Sequence, residues 1–368
     1  MLHDLIQGLD RNRFTPCSIV FQAGPEAEAL ACSGAPATVA PAPEFLLELM
    51  RGAAPVPDLV WRYARSWPEV RRFEKSLAQA IQASGAAAVI TAGTLAHVHG
   101  GGAARRAQRP ALWLAHEWHK NPRIRLFMAF HARRTATALA CCSGFVAGQF
   151  SGHQAPMVIH GGASPEACAP KTGHEIIREK LGIPIDAPVA GMCAPALPGR
   201  GHGLFLRAAA RIREDVRTAR FIIAGAHQTH GLAQTLGERA QAYALTECLS
   251  MPGPQLDEAD LIDIMDVFVH PAQSPEPFGR DIVRAMMRGK PVAASASGGP
   301  DEIVRNAETG ILVEPGDSVR LARAVVQLLD NPEVMLAFGE NGRKRAMELF
   351  TLERATSAFQ SLMERIIP

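Results

Sequence analysis

The chain has 368 residues, 47% of them hydrophobic, which is enough for two domains that each bury a core. Lysine and arginine number 38 against 36 acidic residues, and the net charge of +2 gives no support to a nucleic-acid partner. The seven cysteines lack metal-ligand spacing, and such an odd, scattered set predicts reduced thiols in a cytoplasmic setting.

Residues 1–14 read as a helix, followed at once by an apolar strand at 17–22. Further strands are expected at 87–92, 111–115, 139–143 and 156–160. The segment 161–172 is rich in Gly, Ala, Pro and Ser and breaks the pattern. Strands resume at 188–194, 220–225, 267–270 and 291–295, with amphipathic helical patterns at 204–213 and 319–329. Continuous apolar strands separated by helices predict parallel sheets covered on both faces, the α/β class. The run 97–106, with Gly100, Gly101 and Gly102, reads as a flexible loop, with a glycine-rich anion site as the alternative. The stretch KNPRIRLFMAFHARR at 120–134 is basic with an apolar centre. It reads as a surface helix, and such a helix can also lie on an anionic membrane. The sequence shows neither a secretory-leader pattern nor an apolar run long enough to span a bilayer.

Residues 266–317 are the most informative: DVFVHPAQSPEPFGRDIVRAMMRGKPVAASASGGPDEIVRNAETGILVEPGD. An apolar strand runs into His270 and Pro271, then a polar turn, then Glu276, Pro277, Phe278 and Gly279, with a helix opening at Arg280. A second strand ends at Gly298 and Gly299. Strand, glycine turn and helix start make an anion site, because the helix N-terminus offers N–H groups and the positive end of its dipole.

This wording resembles the nucleotide-sugar signature of family 4 (group 1) retaining glycosyltransferases. PVAGMCAPALPGRGHGLFLRAAARIRED and ARFIIAGA resemble the family's first two donor-domain strands, and FTLERATSAFQSLMERI resembles its closing helix. The resemblance implies two Rossmann-like, doubly wound parallel-sheet domains facing each other across a cleft, the GT-B fold. The expected division is 1–165 for the acceptor-side domain, 166–185 for a linker, 186–350 for the donor-binding domain and 351–368 for a helix crossing back to the first domain. It implies transfer of a sugar from a nucleotide diphosphate sugar, with retention, no cofactor and no metal, to an acceptor that is a sugar, a lipid-linked glycan or a small molecule. It leaves open peripheral membrane contact and a homo- or hetero-oligomer.

Carried over by position, the resemblance puts Glu276 beside the transferring sugar, His116 against the donor sugar or acceptor, and Arg200 on the diphosphate. Pro277, Phe278, Gly279, Arg280, Gly298 and Gly299 would line the donor site. His270 and His160 read as structural strand-end residues. Three features depart from the family. Pro195 stands where an arginine is expected. Arg284 stands eight positions after Glu276, where a second glutamate would accept from a ribose diol. A guanidinium donates and cannot accept, so Arg284 would reach a phosphate, donate to hydroxyl oxygens, or pair with Asp301 or Glu302. The family's opening strand is absent before the 17–22 strand, which predicts a first sheet incomplete at its centre. The same departures fit a second reading, a protein that binds nucleotide or an active partner without turning over.

Overall fold

The computed structural model describes every residue except 51–61, 64, 151, 153–155, 196, 226–230 and 368. The chain divides into two compact units, one of residues 1–160 with 352–368, the other of residues 161–351.

The second unit is one six-stranded parallel sheet. Its strands are β7 (Val189–Cys193), β8 (Arg220–Ala224), β9 (Leu249–Ser250), β10 (Val267–His270), β11 (Val292–Ser295) and β12 (Gly310–Val313). The order is β12-β11-β10-β7-β8-β9, the doubly wound arrangement in which the chain turns one way after β7 and the other way after β10. Every residue of β7, β10 and β11 is buried, as the uninterrupted apolar runs require. One face packs on the helices His202–Asp215 and Ser318–Leu329, through Leu204, Phe205, Leu321 and Val325 against Phe221 and Val269.

The segment expected as a linker, 166–185, is built into this unit. It holds the helix His174–Lys180, whose Arg178 is buried and donates to the carbonyls of Pro184, Ile185, Ala187 and Ile264. Asp260 accepts from the N–H groups of Lys171 and Thr172. Small and turn-forming residues suggested a tether, but these long-range hydrogen bonds tie the segment down.

Among the described residues, the first unit contains two separate parallel sheets. One pairs β1 (Ser18–Val20) with β2 (Ala37–Val39). The other runs β3-β4-β5-β6, from Val89–Ala92, Ala111–Ala115, Ala138–Cys141 and Met157–Val158. β1 and β3 are not bonded to each other, yet Ile19 and Val89 join one apolar cluster around Phe73, Leu77 and Ile81 of the helix Trp67–Ala83. The residues before Ser18 form the helix Leu2–Gly8 and turns, not a strand. The closing helix Leu352–Ile366 belongs to this unit and packs Phe359, Leu362 and Met363 on Leu5, Leu9, Leu112 and Leu114. The run 97–106 is not a loop: Ala96–Gly100 is a π-turn and Gly101–Arg106 an α-helix. Its glycines sit in the interior of a helix, where Gly101 leaves room for Trp113 and Thr135.

Three short strands, β2, β9 and β12, were not legible in the sequence. Each has four residues or fewer, too few to show a period.

Candidate functional site

In an open parallel sheet, ligands bind outside the carboxyl ends of the strands where the winding reverses. In the second unit that point lies between β7 and β10. β7 ends at Cys193 and leads through Ala194 and Pro195 to Gly201, the N-cap of the helix His202–Asp215. Gly201 has φ +84°, and a Cβ there would meet Pro271 O at 1.7 Å, so glycine alone lets this loop lie on the one after β10. β10 ends at His270 and leads to Gly279, N-cap of the helix Arg280–Met287, with φ +114°. Both helices therefore begin at the strand ends that meet here, with their first-turn N–H groups pointing outward.

Between these helix starts, the Arg200 guanidinium pairs with the Glu276 carboxylate. Backbone bonds hold Glu276 to the turn after β11: Glu276 N donates to Ser297 O at 2.9 Å, and Gly299 N to Glu276 O at 2.8 Å. Burial raises the Glu276 carboxyl above its ordinary value, against the opposing pull of Arg200 and His270. Beneath it, His270 is buried, with Nδ1 2.7 Å from Asp281 Oδ2. Burial alone would lower the imidazole, but the Asp281 carboxylate overrides it and the net shift is upward. Asp281 moves the other way: burial opposes ionisation, His270 outweighs it, and the carboxyl is held below its usual range. In this buried couple each group's shift favours its charged form. His270 Nε2 has no hydrogen-bond partner among the described residues.

Two cavities adjoin these strand ends. One, of about 260 Å³, is walled by Ala194, Pro195, Gly225, Pro252, Pro254 and Glu258. The other, of about 300 Å³, is lined by Cys168, Asp257, Glu258, Arg284 and Arg288. Glu258 lines both, and Arg284 Nη1 donates to its Oε2 at 2.7 Å. Cys193 lies within reach of both charges; its burial pushes the thiol well up, with Glu258 and Asp281 adding to the effect.

The structure thus brings Arg200, Glu276, Pro277, Gly279, Arg280, Gly298 and Gly299 to one place. Phe278 belongs to that turn by its backbone, but its ring is buried edge-on to Phe350, centroids 5.9 Å apart, and anchors the turn in the core. Arg284 pairs with Glu258, a partner that the spacing of the motif could not indicate. Pro195 walls the smaller cavity instead of supplying charge.

His116 lies in the first unit, just past β4. It is half-buried, with Nδ1 3.2 Å from Leu114 O. Around it the strand ends collect more polar groups than the sequence reading named. Thr94 Oγ1 donates to Glu117 Oε2 at 2.6 Å and lies 3.3 Å from His119 Nε2. Gln149 Nε2 donates to Glu117 O. His97 stacks on Trp113 at 4.6 Å, and burial, with the charges of His116 and His119, pushes its imidazolium down to about 3. Glu258 and Asp281 are residues the sequence analysis missed, because they announce themselves only through partners elsewhere in the chain. Glu117, next to His116, was readable as part of a shaped edge.

A doubly wound α/β unit with an anion-ready switch point is a nucleotide-site architecture. Residues 173–345 match the family model described as "Glycosyl transferases group 1". Over those residues the chain is similar to the group 1 glycosyltransferases. It is 28% identical over 186 residues to the lipopolysaccharide core biosynthesis glycosyltransferase LpsE of Rhizobium meliloti, covering 50% of this chain and 52% of that one. It is 30% identical over 201 residues to the D-inositol 3-phosphate glycosyltransferase of Thermobispora bispora, covering 51% and 46%. The chain spans about half the length of the curated relatives it matches. In fold it resembles Anabaena HepE, a structure in complex with UDP, with a TM-score of 0.81 and 21% identity over 99% of this chain and 95% of that one. Sucrose-phosphate synthase from Thermosynechococcus elongatus gives 0.69 and 21% over 82% and 79%. Both units thus have the parallel-sheet architecture of the GT-B class.

Proposed function

We propose that this protein transfers a glycosyl group from a nucleoside diphosphate sugar to a hydroxyl acceptor, with retention and without a metal ion. The observation that carries the reading is the Arg200–Glu276 pair set between two helix N-termini at the switch point of the second unit. Arg200 and the helix starts at His202 and Arg280 meet the diphosphate charge with one guanidinium and backbone N–H groups. The nucleoside takes the cavity of about 260 Å³ against Pro195, whose ring offers an apolar wall in place of a cation. Glu258 at its rim accepts from the ribose hydroxyls, and Arg284 holds that carboxylate in place. The acceptor function expected eight residues after Glu276 is here supplied from a different helix.

Glu276 stands where the transferring sugar would lie, able to accept from its hydroxyls or to face positive charge developing at the anomeric carbon. In front-face transfer the bond from that carbon to the phosphate oxygen breaks, and the acceptor oxygen bonds on the same face. The acceptor proton passes to the departing phosphate. The protein's contribution is then position and electrostatics, with no covalent intermediate. His116, with Nε2 left as an acceptor when Nδ1–H donates to Leu114 O, is the first unit's candidate for acceptor contact. HepE, the UDP-bound structure of like fold, makes uridine the first base to test.

Calorimetric titration with UDP, GDP and ADP, followed by an assay for nucleoside diphosphate released from the matching sugar nucleotides, tests the reading. Absence of binding by all three diphosphates sinks it. Tight binding with no release under any acceptor instead favours the second reading, a nucleotide-binding subunit. Arg284 turned to Glu258 rather than toward Glu276 is the observation on that side.

A further inference from the structure

The helix Pro122–Thr135 of the first unit contains no acidic residue and has two distinct sides. Met128, Ala129 and Ala132 are buried. At about 100° per residue these define one face; Arg123, Leu126, Phe127, Phe130 and Arg134 fall opposite, and Arg133 flanks them. Leu126 is 70% exposed, Phe127 46% and Phe130 44%, a concentration of large apolar side chains in water that a soluble surface rarely carries on one helix. The three arginines standing among them are exposed as well. The Arg134 guanidinium lies 4.9 Å from the Phe130 ring centroid, so charge and apolar surface are interleaved, not separated.

That mixture selects its partner. A second copy of the same face would set guanidinium against guanidinium. An acidic protein surface would answer the charges and leave Leu126 and the phenylalanines in a polar contact. The boundary between lipid headgroups and acyl chains accepts both, because anionic phosphates pair with arginine while the apolar side chains enter the acyl region. The helix is also set in advance: Asn121 caps it, its Oδ1 accepting from Arg123 N at 2.9 Å, and Pro122 fixes the first turn. Docking therefore does not have to order the backbone. At 14 residues it lies along a surface, and among the described residues no helix is long and apolar enough to cross a membrane.

We propose that this helix seats the first unit on an anionic membrane surface, with Leu126, Phe127 and Phe130 inserted and Arg123, Arg133 and Arg134 on the headgroup phosphates. The proposal is independent of the donor reading, since its test needs no nucleotide. Co-sedimentation of the full chain with vesicles of phosphatidylcholine alone, or of phosphatidylcholine mixed with phosphatidylglycerol, should show binding only to the mixture and release by salt. Leu126→Glu should weaken binding roughly tenfold, and the pair Arg133→Ala with Arg134→Ala roughly thirtyfold. All these positions are exposed, so circular dichroism should be unchanged. Equal binding to both vesicles, or binding to neither, overturns the proposal. So does a concentration-dependent rise in sedimentation mass that Leu126→Glu abolishes, which would assign the face to a second copy.

Discussion

The two units use the same kinds of element with different completeness. In the second, six strands form one unbroken sheet with its central strands wholly buried. In the first, two strands and four strands form separate sheets that share a core without sharing hydrogen bonds. In a parallel pair, alternate residues bond to alternate sides. Val89 N donates to Pro110 O on the β4 side, so the peptide groups of Ile90 point to an edge that no strand of the described residues covers, and Ile90 is 36% exposed. An open edge inside a domain is a weak point. The chemistry follows the same division: the charged cluster of Arg200, Glu276, His270 and Asp281 sits on the sheet that is whole.

The largest effects should fall on the second unit's site. Arg200→Ala should lower turnover by on the order of a hundredfold or more, the scale of losing a charge that faces the transition state. It also leaves Glu276 without the cation that opposes its protonation, so the loss of any remaining activity on acidification should set in at a higher pH than in the unaltered chain. A variant with normal steady-state rates would show that the cluster is not the reaction centre.

Backbone strain separates the units next. Gly201→Ala should destabilise the second unit by roughly 3 kcal/mol or more, because the positive φ and the collision with Pro271 O act together. Gly85→Ala, at φ +67° with nothing near its Cβ, should cost only about 1–2 kcal/mol in the first. The four tryptophans all lie at or before residue 118, within the first unit, so fluorescence follows that unit alone while far-ultraviolet dichroism follows both. Urea should move the fluorescence of the unaltered chain before the dichroism is complete. Coincident curves would mean the broken sheet is no weaker than the whole one.

A smaller change is expected at the cavity proposed for the nucleoside. Glu258→Gln should weaken diphosphate binding by about 1–3 kcal/mol, the range for a hydrogen bond to a charged group. Arg284→Glu places a second carboxylate against Glu258 and should weaken binding too. Stronger binding of the Arg284→Glu form would return the acceptor role to position 284 and remove it from Glu258.

The subtlest test is pH. His270 has a folded-state pKa above its unfolded one, so the stability it contributes is complete below the unfolded value and is lost as pH rises through the folded value. Asp281 is depressed, so its contribution exists above its unfolded value and is lost as pH falls through the folded one. The second unit should therefore be most stable between these limits, weakening on the alkaline side as His270 deprotonates. His270→Gln should flatten that alkaline limb, as measured by thermal unfolding across pH; an unchanged limb would assign it to other groups.

Much of this molecule could be read along the chain. β4 and β10 fall where their apolar runs lie, and β7, β8 and β11 fall within a residue of theirs, because burial on both faces imposes an unbroken apolar stretch. The turn Glu276 to Arg280 was legible for a similar reason: a glycine at positive φ opening a helix leaves a local signature. What the sequence could not hold is pairing at a distance. Arg200 meets Glu276 across 76 residues and Arg284 meets Glu258 across 26, so no spacing rule foretells either. The incorporation of 166–185 into the second unit depends on carbonyls and carboxylates as far away as Asp260 and Ile264. Local period and turn chemistry act through neighbours, and they determined where strands, helices and glycine turns stand. Which charge answers which is decided by folded proximity, and only the tertiary structure settled it.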